Sequence, residues 1–247
     1  MSIDREKLKA EIVERRGYWH PFHEGLLEMS PEFLQSYLYF QNGPALSGHL
    51  EPKVREFIYI AVDGAVSHLY QPGLRRHIED ALRLGATREE VLQVILLTVT
   101  AEGQLPNMIG HSILMDELKT GETALTADEQ RRKDAYVAKT GTWPDAAEAI
   151  MRIAPQFAEG FLGYGEVSWT IGPLPPKVKA FIGLAVCASP SLLYAPGMRR
   201  HIRQALDQGA TREEISEGLQ LASAIAIHTC TYAVPALVEA VKALEKS

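Results

Sequence analysis

The chain has 247 residues, 46% of them hydrophobic and 23% charged, which is the composition of an ordinary globular protein. Its formal net charge of −6 argues against sequence-independent binding to nucleic acid or to an anionic membrane, because both require a basic face. No stretch approaches the roughly 18 to 20 apolar residues of a membrane span, and a charged N-terminus with only two cysteines, Cys187 and Cys230, predicts a cytoplasmic protein.

The beginning of the chain predicts two helices separated by a proline-containing break. Residues 4–15 are charged and favour a helix, which Gly17 and residues 19–21 (Trp-His-Pro) are expected to end. A second helix should begin at Ser30, because Pro31 then stands at its first position, where its missing N–H costs nothing. Residues 42–44 (Asn-Gly-Pro) are expected to end this helix.

The next two predicted helices carry clear apolar faces and end signals. The stretch from Pro52 to about Val66 has apolar residues at helical spacing. Pro72-Gly73 precedes a helix that runs to Leu84, and Gly85 follows it where a left-handed cap belongs.

Thr87 and Glu90 have the spacing of a capping box, in which the threonine hydroxyl accepts from the backbone N–H of the glutamate and the carboxylate reaches back. The helix that follows, from Val91 to about Thr100, is apolar nearly all round, so we expect it to be central and buried. No alternating pattern of a strand appears in the sequence. The chain is therefore predicted to be all-α.

The sequence repeats itself with a constant offset of 124 residues. Between residues 52 and 90, 24 of 39 positions carry the same residue as their partners between 176 and 214. This period is far longer than that of a stacking repeat, so the unit is a domain. We predict two homologous domains, residues 1–123 and 124–247, joined by the small and polar segment Lys119–Ala127.

The most strongly repeated run has the form G-[LM]-R-R-H-I-x-x-A-L-x-x-G-A-T-R-E-E-[VI], at Gly73–Val91 and again at Gly197–Ile215. It resembles the carboxymuconolactone decarboxylase family of the alkyl hydroperoxidase D-like superfamily. The resemblance implies two tandem copies of an alkyl hydroperoxidase D-like helical domain. It also implies a cofactor-free lyase or isomerase for a small carboxylate or carbonyl compound, the type reaction being decarboxylation of a lactone acid in aromatic breakdown.

Redox members of this superfamily carry C-x-x-C followed four residues later by histidine. In both copies tyrosine and glycine replace the two cysteines, whereas the histidine remains. The equivalent positions are Tyr70, Gly73 and His77 and, in the second copy, Tyr194, Gly197 and His201. Because a thiol peroxidase needs a thiolate, a hydroperoxide reductase that uses Cys187 or Cys230 differently is one alternative, and a non-catalytic assembly module is another.

His77 and His201 are the candidate general acids or bases, since imidazole titrates near neutral pH. The alternative for each is a core histidine satisfied by a hydrogen bond. By resemblance to the redox relatives, Glu56 is a candidate relay residue that orients His77, or else a solvated or salt-bridged glutamate. Its partner in the second copy is Ala180, so only the first copy would have a complete relay.

Four arginines precede the two histidines and are candidate substrate-binding residues: Arg75, Arg76, Arg199 and Arg200. If the helix begins at Gly73, they lie at a helix N-terminus, where guanidinium and free N–H groups together suit a carboxylate. Helical ion pairing, a solvated face or a subunit contact are the alternatives. Tyr70 and Tyr194 could donate a hydrogen bond to a developing enolate, or serve only in packing.

We predict no metal and no cofactor, because no histidine pair has metal-ligand spacing and no phosphate-binding loop follows a strand. The expected partner is a small-molecule carboxylate or carbonyl substrate. Relatives with a single copy assemble into rings of three or six. The resemblance therefore implies a homo-oligomer, a trimer with pseudo-hexameric symmetry or alternatively a dimer, with the apolar helices near residues 91–100 and 215–227 at its interfaces.

Overall fold

The computed structural model describes residues 3–119 and 124–246. Within these residues the backbone forms helices and no strand, which confirms the all-α prediction. The α-helices are α1 Arg5–Arg16, α2 Pro21–Met29, α3 Pro31–Ser47, α4 Pro52–Gly64, α5 Gln71–Arg83, α6 Arg88–Gly103, α7 Leu105–Glu117, α8 Ala127–Thr140, α9 Ala147–Ile153, α10 Pro155–Thr170, α11 Pro176–Ala188, α12 Ala195–Asp207, α13 Arg212–Ser223 and α14 His228–Leu244, with a 3₁₀ turn at Ala224–Ile227.

Local end signals fix the connection between α5 and α6. The Thr87 hydroxyl accepts from the backbone N–H of Glu90 at 3.1 Å, and the Thr87 N–H donates to the Glu90 carboxylate at 2.7 Å. Gly85 has a φ of +87°, a left-handed conformation that suits glycine. Thr211 and Glu214 form the same capping box before α13. The predicted box and cap are confirmed.

The predicted break after the first helix is confirmed, since α1 ends at Arg16, Gly17 forms its left-handed cap and residues 18–20 are not helical. The sequence did not predict α2, which begins at Pro21, a position that tolerates proline. The expectation that residues 42–44 end the next helix is wrong, since α3 continues to Ser47 with Pro44 inside it. The helix continues for one turn beyond the proline, and the N–H of Gly48 donates to the Pro44 carbonyl.

Helix α6 is buried on one face and exposed on the other, although its sequence is apolar nearly all round. One face packs in the core through residues such as Val91, Val94 and Leu97. The other face exposes Leu92, Ile95 and Val99. The prediction that this helix is buried on all sides is therefore wrong for the single chain.

The longest helical run, Arg212–Leu244, joins α13, the 3₁₀ turn and α14. By length and composition it could cross a membrane, since an 18-residue window has a mean hydropathy of 1.6. The expectation that no stretch comes close to such a span is therefore wrong. Packed helices of other proteins pass the same test, and α14 packs against α2, so this run supports a membrane span only weakly.

The described chain forms two compact units that do not coincide with the two sequence copies. The first unit contains residues up to His49 together with those from Ser223 onward, and the second runs from Leu50 to Ala222. Each unit thus takes helices from both copies. The copy boundary at residues 123 and 124 is a division by homology and stays a prediction, because residues 120–123 of the predicted linker lie outside the described residues.

The first unit joins α1, α2 and α3 of the first copy to α14 of the second. Helices α2 and α14 approach closely at Gly25, where a Cβ would overlap the Val234 side chain. The buried hydrophobic core of this unit consists of Leu8, Ile12, Phe22, Leu26, Leu27, Leu34 and Leu38, and the polar His23 and Asn42 are also buried in the unit. In the second unit, conversely, α7 of the first copy packs against α9 of the second.

The second unit is built around two equivalent helices, α4 and α11, which pack against each other. The hydroxyl oxygens of Ser67 and Ser191, which the 124-residue offset relates, lie 3.3 Å apart. Contact between equivalent residues places a local pseudo-twofold axis between the copies at this point. Helices α5 and α12, which carry the two candidate histidines, pack on α4 and α11 respectively.

Candidate active site

The first-copy site brings together His77 of α5 and Glu56 of α4. The His77 Nδ1 lies 2.7 Å from a Glu56 carboxylate oxygen, and each side chain keeps 18% of its surface exposed. Tyr59, one turn after Glu56, stacks on the imidazole with 4.5 Å between ring centres. The two residues that the sequence paired are therefore in contact, in an arrangement that holds the ring and leaves an edge of the dyad reachable from solvent.

A second carboxyl group, that of Asp63, lies behind this dyad and was missed by the sequence analysis. It is 1% exposed, and its oxygens lie 3.9 Å from the Nε2 atoms of His77 and of His68. Burial raises the pKa of Asp63 to about 7, and the nearby His77 acts in the opposite direction. Gly73 leaves room for this group, because a Cβ there would overlap the Asp63 carboxylate.

The second-copy histidine has different neighbours. The His201 Nδ1 lies 2.8 Å from the Gln204 Oε1, and the Gln204 amide nitrogen donates to the Thr140 carbonyl at 3.2 Å. The Gln204 amide nitrogen faces the Thr140 carbonyl, so the Gln204 amide oxygen faces the imidazole. The Nδ1 of His201 therefore carries the hydrogen, and the Nε2 is the acceptor. Gly183 stands where the first copy has Tyr59, and a Cβ there would overlap the imidazole.

The charge state of His201 is set by these neighbours. Burial, followed by the positive charge of Arg200, lowers the pKa of His201 to about 3, while the hydrogen bond to Gln204 acts in the opposite direction. His201 is therefore neutral near pH 7. With Ala180 in place of Glu56, no carboxylate partners this ring as one does in the first copy.

His201 lines a cavity of about 80 Å³ in the second unit. Two cations, Lys179 and Arg200, also line it, and among the described lining residues none is aspartate or glutamate. The other lining residues are Leu97, Thr100, Ala101, Gln104, Met108, Tyr136, Thr140, Thr142, Pro144, Gly165, Ser168, Trp169, Gly183 and Gln204. Helices of both copies thus form one polar, cation-bearing wall around His201.

The four candidate arginines do not form the expected helix N-terminal site. Helix α5 begins at Gln71 and α12 at Ala195, so the arginines lie in the second turn, beyond the unpaired N–H groups. The expectation failed because each helix begins two residues before the glycine. Arg75 and Arg199 are exposed and stand at the surface.

Arg76 and Arg200 are held by carboxylates. The Arg76 Nε lies 3.3 Å from Asp80, four residues on, which is the helical pairing considered as the alternative. Arg200 lies 3.0 Å from Asp145 of the second copy. Of the four, Arg200 is the one that lines the described cavity.

Comparison with known proteins agrees with this architecture. The model of the carboxymuconolactone decarboxylase family matches residues 31–105 and 155–246. The chain belongs to this family. It is also similar to a crystal structure from Burkholderia xenovorans LB400, named as a candidate gamma-carboxymuconolactone decarboxylase subunit, with 35% identity, a TM-score of 0.88 and coverage of 98% of this chain and 99% of that one. No curated protein matches the chain.

Membership of the carboxymuconolactone decarboxylase family supports a decarboxylase-like function, and both candidate histidines lie inside the matched segments. Tyr70 and Tyr194 remain candidates either for hydrogen bonding to an enolate or for packing. The Tyr194 hydroxyl donates to Asp145 at 3.1 Å, and burial followed by Asp145 raises the pKa of Tyr194 to about 12. Tyr194 is not among the described cavity-lining residues, and the Tyr70 backbone N–H donates to the Asp63 carbonyl.

The two cysteines lack the features of reactive thiols. Cys187, at the position equivalent to Asp63, is 1% exposed, and burial raises its pKa to about 11. Burial also raises the pKa of Cys230. Because the thiolate is the reactive form, these surroundings argue against the thiol-dependent alternative in this member of the family.

Proposed function

We propose that the chain is a cofactor-free, decarboxylase-like lyase or isomerase that acts on a small carboxylate compound at the Glu56–His77 dyad. The observation that carries the proposal is the 2.7 Å contact between the His77 Nδ1 and the Glu56 carboxylate, in a pair that remains 18% exposed. Family membership supplies the reaction class. His201 has no such carboxylate and is neutral near pH 7, so the first copy is the better proton-transfer centre.

The dyad can act as a general acid and base. Because Glu56 accepts from the Nδ1–H of His77, the Nε2 carries the lone pair, and the carboxylate stabilises the imidazolium that forms when this atom takes a proton. When the substrate loses carbon dioxide, the electron pair of the broken carbon–carbon bond moves onto the adjacent carbonyl as an enolate. The imidazolium then gives its proton to the enolate carbon and is reprotonated from water.

Arg76 is the proposed anchor for the substrate carboxylate. It directly precedes His77 on α5, and its side chain is 41% exposed although it pairs with Asp80. A guanidinium can bind two carboxylates at once through different N–H groups. Arg76→Gln is therefore expected to raise KM more than it lowers kcat.

The proposal is tested by the release of carbon dioxide from 4-carboxymuconolactone. Removal of a general acid and base typically costs about 10²–10⁴-fold in rate, so His77→Gln should lower the release by that factor and Glu56→Gln by less. His111→Gln is the matched control, because this histidine bonds the Asn107 carbonyl and is not among the cavity-lining residues. Unchanged activity in the double variant His77→Gln, His201→Gln would overturn the mechanism.

A further inference from the structure

Lys179 of α11 brings a positive charge to the wall of the second-copy cavity. The residue is 7% exposed, and its ammonium group donates to the Trp169 carbonyl at 2.6 Å. Burial lowers the pKa of Lys179, as expected when a cation is desolvated without a neutralising partner. Among the ion pairs of the described residues, none joins this lysine to a carboxylate.

The first copy shows how the same position is neutralised. Arg55, the equivalent of Lys179, lies 2.7 Å from Glu217, whose side chain is fully buried. The offset places Gln93 at the position of Glu217. The Gln93 amide oxygen accepts from the Leu174 N–H at 2.8 Å, just as Glu217 accepts from the Leu50 N–H. The backbone contact is thus kept in both copies, but the negative charge is present only beside Arg55.

Arg200 adds a second cation to the same wall. Its one described carboxylate partner, Asp145, is 46% exposed and is not among the cavity-lining residues. His201 is neutral near pH 7 and Arg200 is paired with Asp145, so Lys179 is the cation of this wall for which the described residues provide no carboxylate. A buried charge without a counter-charge is costly, so an anion that enters here is stabilised.

The cavity limits the size of that anion. Gly183 lets the His201 imidazole pack directly against α11, because a Cβ there would overlap the ring. The cavity beside the ring has a volume of about 80 Å³, which is smaller than the roughly 150 Å³ of a protein cavity that accepts benzene. An organic anion of a few non-hydrogen atoms therefore fits. The hydroxyl groups of Thr100, Thr140 and Ser168 donate to backbone carbonyls of their own helices, so the two cations are the groups that would bind the anion.

We propose that the second-copy cavity is a binding site for a small monocarboxylate of the acetate class, held by Lys179 and Arg200 and separate from the Glu56–His77 centre. The carboxylate supplies to Lys179, from the cavity side, the negative charge that Glu217 supplies to Arg55, since the neutral Gln93 occupies the position of Glu217. The two copies then divide their roles: one carries proton-transfer groups and the other an anion receptor. This binding requires no turnover, so it can be tested independently of the reaction proposed for the Glu56–His77 centre.

The site is tested by titrating the full-length protein with sodium acetate at constant ionic strength. The midpoint of thermal unfolding should rise and saturate, because a ligand that binds only the folded state stabilises it. The signal of carbon-13-labelled acetate should broaden over the same concentration range. Acetamide, which has the same shape without the charge, should produce neither effect. An equal response to acetamide or to sodium chloride would overturn the proposal.

Lys179→Met tests the charge itself. This variant removes a buried cation and keeps the length of the side chain, and it should weaken acetate binding at least 10-fold. Lys177→Met is the matched control, because Lys177 pairs with Glu214 and does not line the cavity. Arg200→Gln should also weaken binding, which keeps the test decisive if Lys179→Met folds poorly. Acetate affinities equal to that of the wild type in both cavity variants would refute the site, whereas His77→Gln should bind acetate normally.

Discussion

His77 and His201 stand in nearly identical sequence surroundings, yet neighbouring side chains give the two imidazoles opposite electrostatic environments. Glu56 and Asp63 place carboxyl groups beside the first ring. Ala180, in place of Glu56, and Arg200 leave the second ring without an anion and next to a cation. Conservation of a histidine in both copies therefore does not imply conservation of its chemistry.

The depressed pKa of His201 makes a testable contribution to stability. The unfolded chain binds a proton at this residue near pH 6.5, whereas the folded chain does so only near pH 3. The folded state therefore loses stability as the pH falls from about 6.5 toward 3, because the unfolded state binds more protons. Between pH 7 and pH 4.5 the wild type should lose about 2 kcal/mol more than His201→Gln, measured by urea denaturation. If the free energy of unfolding changed with pH equally in the wild type and in His201→Gln, the buried, neutral imidazole would be contradicted.

At the scale of the elements, the features that were predictable from sequence are those set within a few residues. The capping boxes at Thr87 and Thr211 depend on one side chain and one backbone group three residues away. Helix α2 was missed because a proline can either break a helix or start one, depending on the residues after it. The exposed face of α6 could not be predicted, since composition does not specify which side meets the core.

The capping box of α6 is expected to be worth about 1 kcal/mol. Thr87→Ala should lower the free energy of unfolding by roughly this amount, because the N–H of Glu90 loses its acceptor. Thr211→Ala should have a similar effect at the equivalent position, and Thr87→Ser should restore most of the loss. The measurement is equilibrium urea denaturation. A Thr87→Ala variant as stable as the wild type would show that the box contributes nothing.

For the whole molecule, the duplication was evident from the constant offset, but the grouping of the helices was not. An offset identifies equivalent residues and carries no information on which helices pack together. The Glu56–His77 pair was foreseen from the resemblance of Glu56 to the relay glutamate of the redox relatives. Residues whose roles depend on partners distant in sequence were not foreseen: Asp63, Lys179, Gly183 and Gln204. Each of these four residues stands at a position where the two copies carry different residues, and this difference was the sequence feature that could have indicated them.

The expected homo-oligomer is a whole-molecule prediction. Leu92, Ile95 and Val99 form an exposed apolar stripe on α6, which association would remove from water. Light scattering coupled to size-exclusion chromatography should give the mass of a trimer, or alternatively of a dimer. Leu92→Glu combined with Ile95→Glu should shift the protein toward the monomer. A monomeric wild type at micromolar concentration would contradict the prediction.

The cavity around His201 is lined by residues of α6 and α7 of the first copy and by residues of α8, α10, α11 and α12 of the second. Gln104 and Met108 are encoded in the first half of the gene, but they face the histidine of the second half. A substitution at these positions of the first half therefore changes the cavity of the second copy. Covalent fusion keeps both contributors in every molecule and in equal number, which two separately encoded chains could not guarantee.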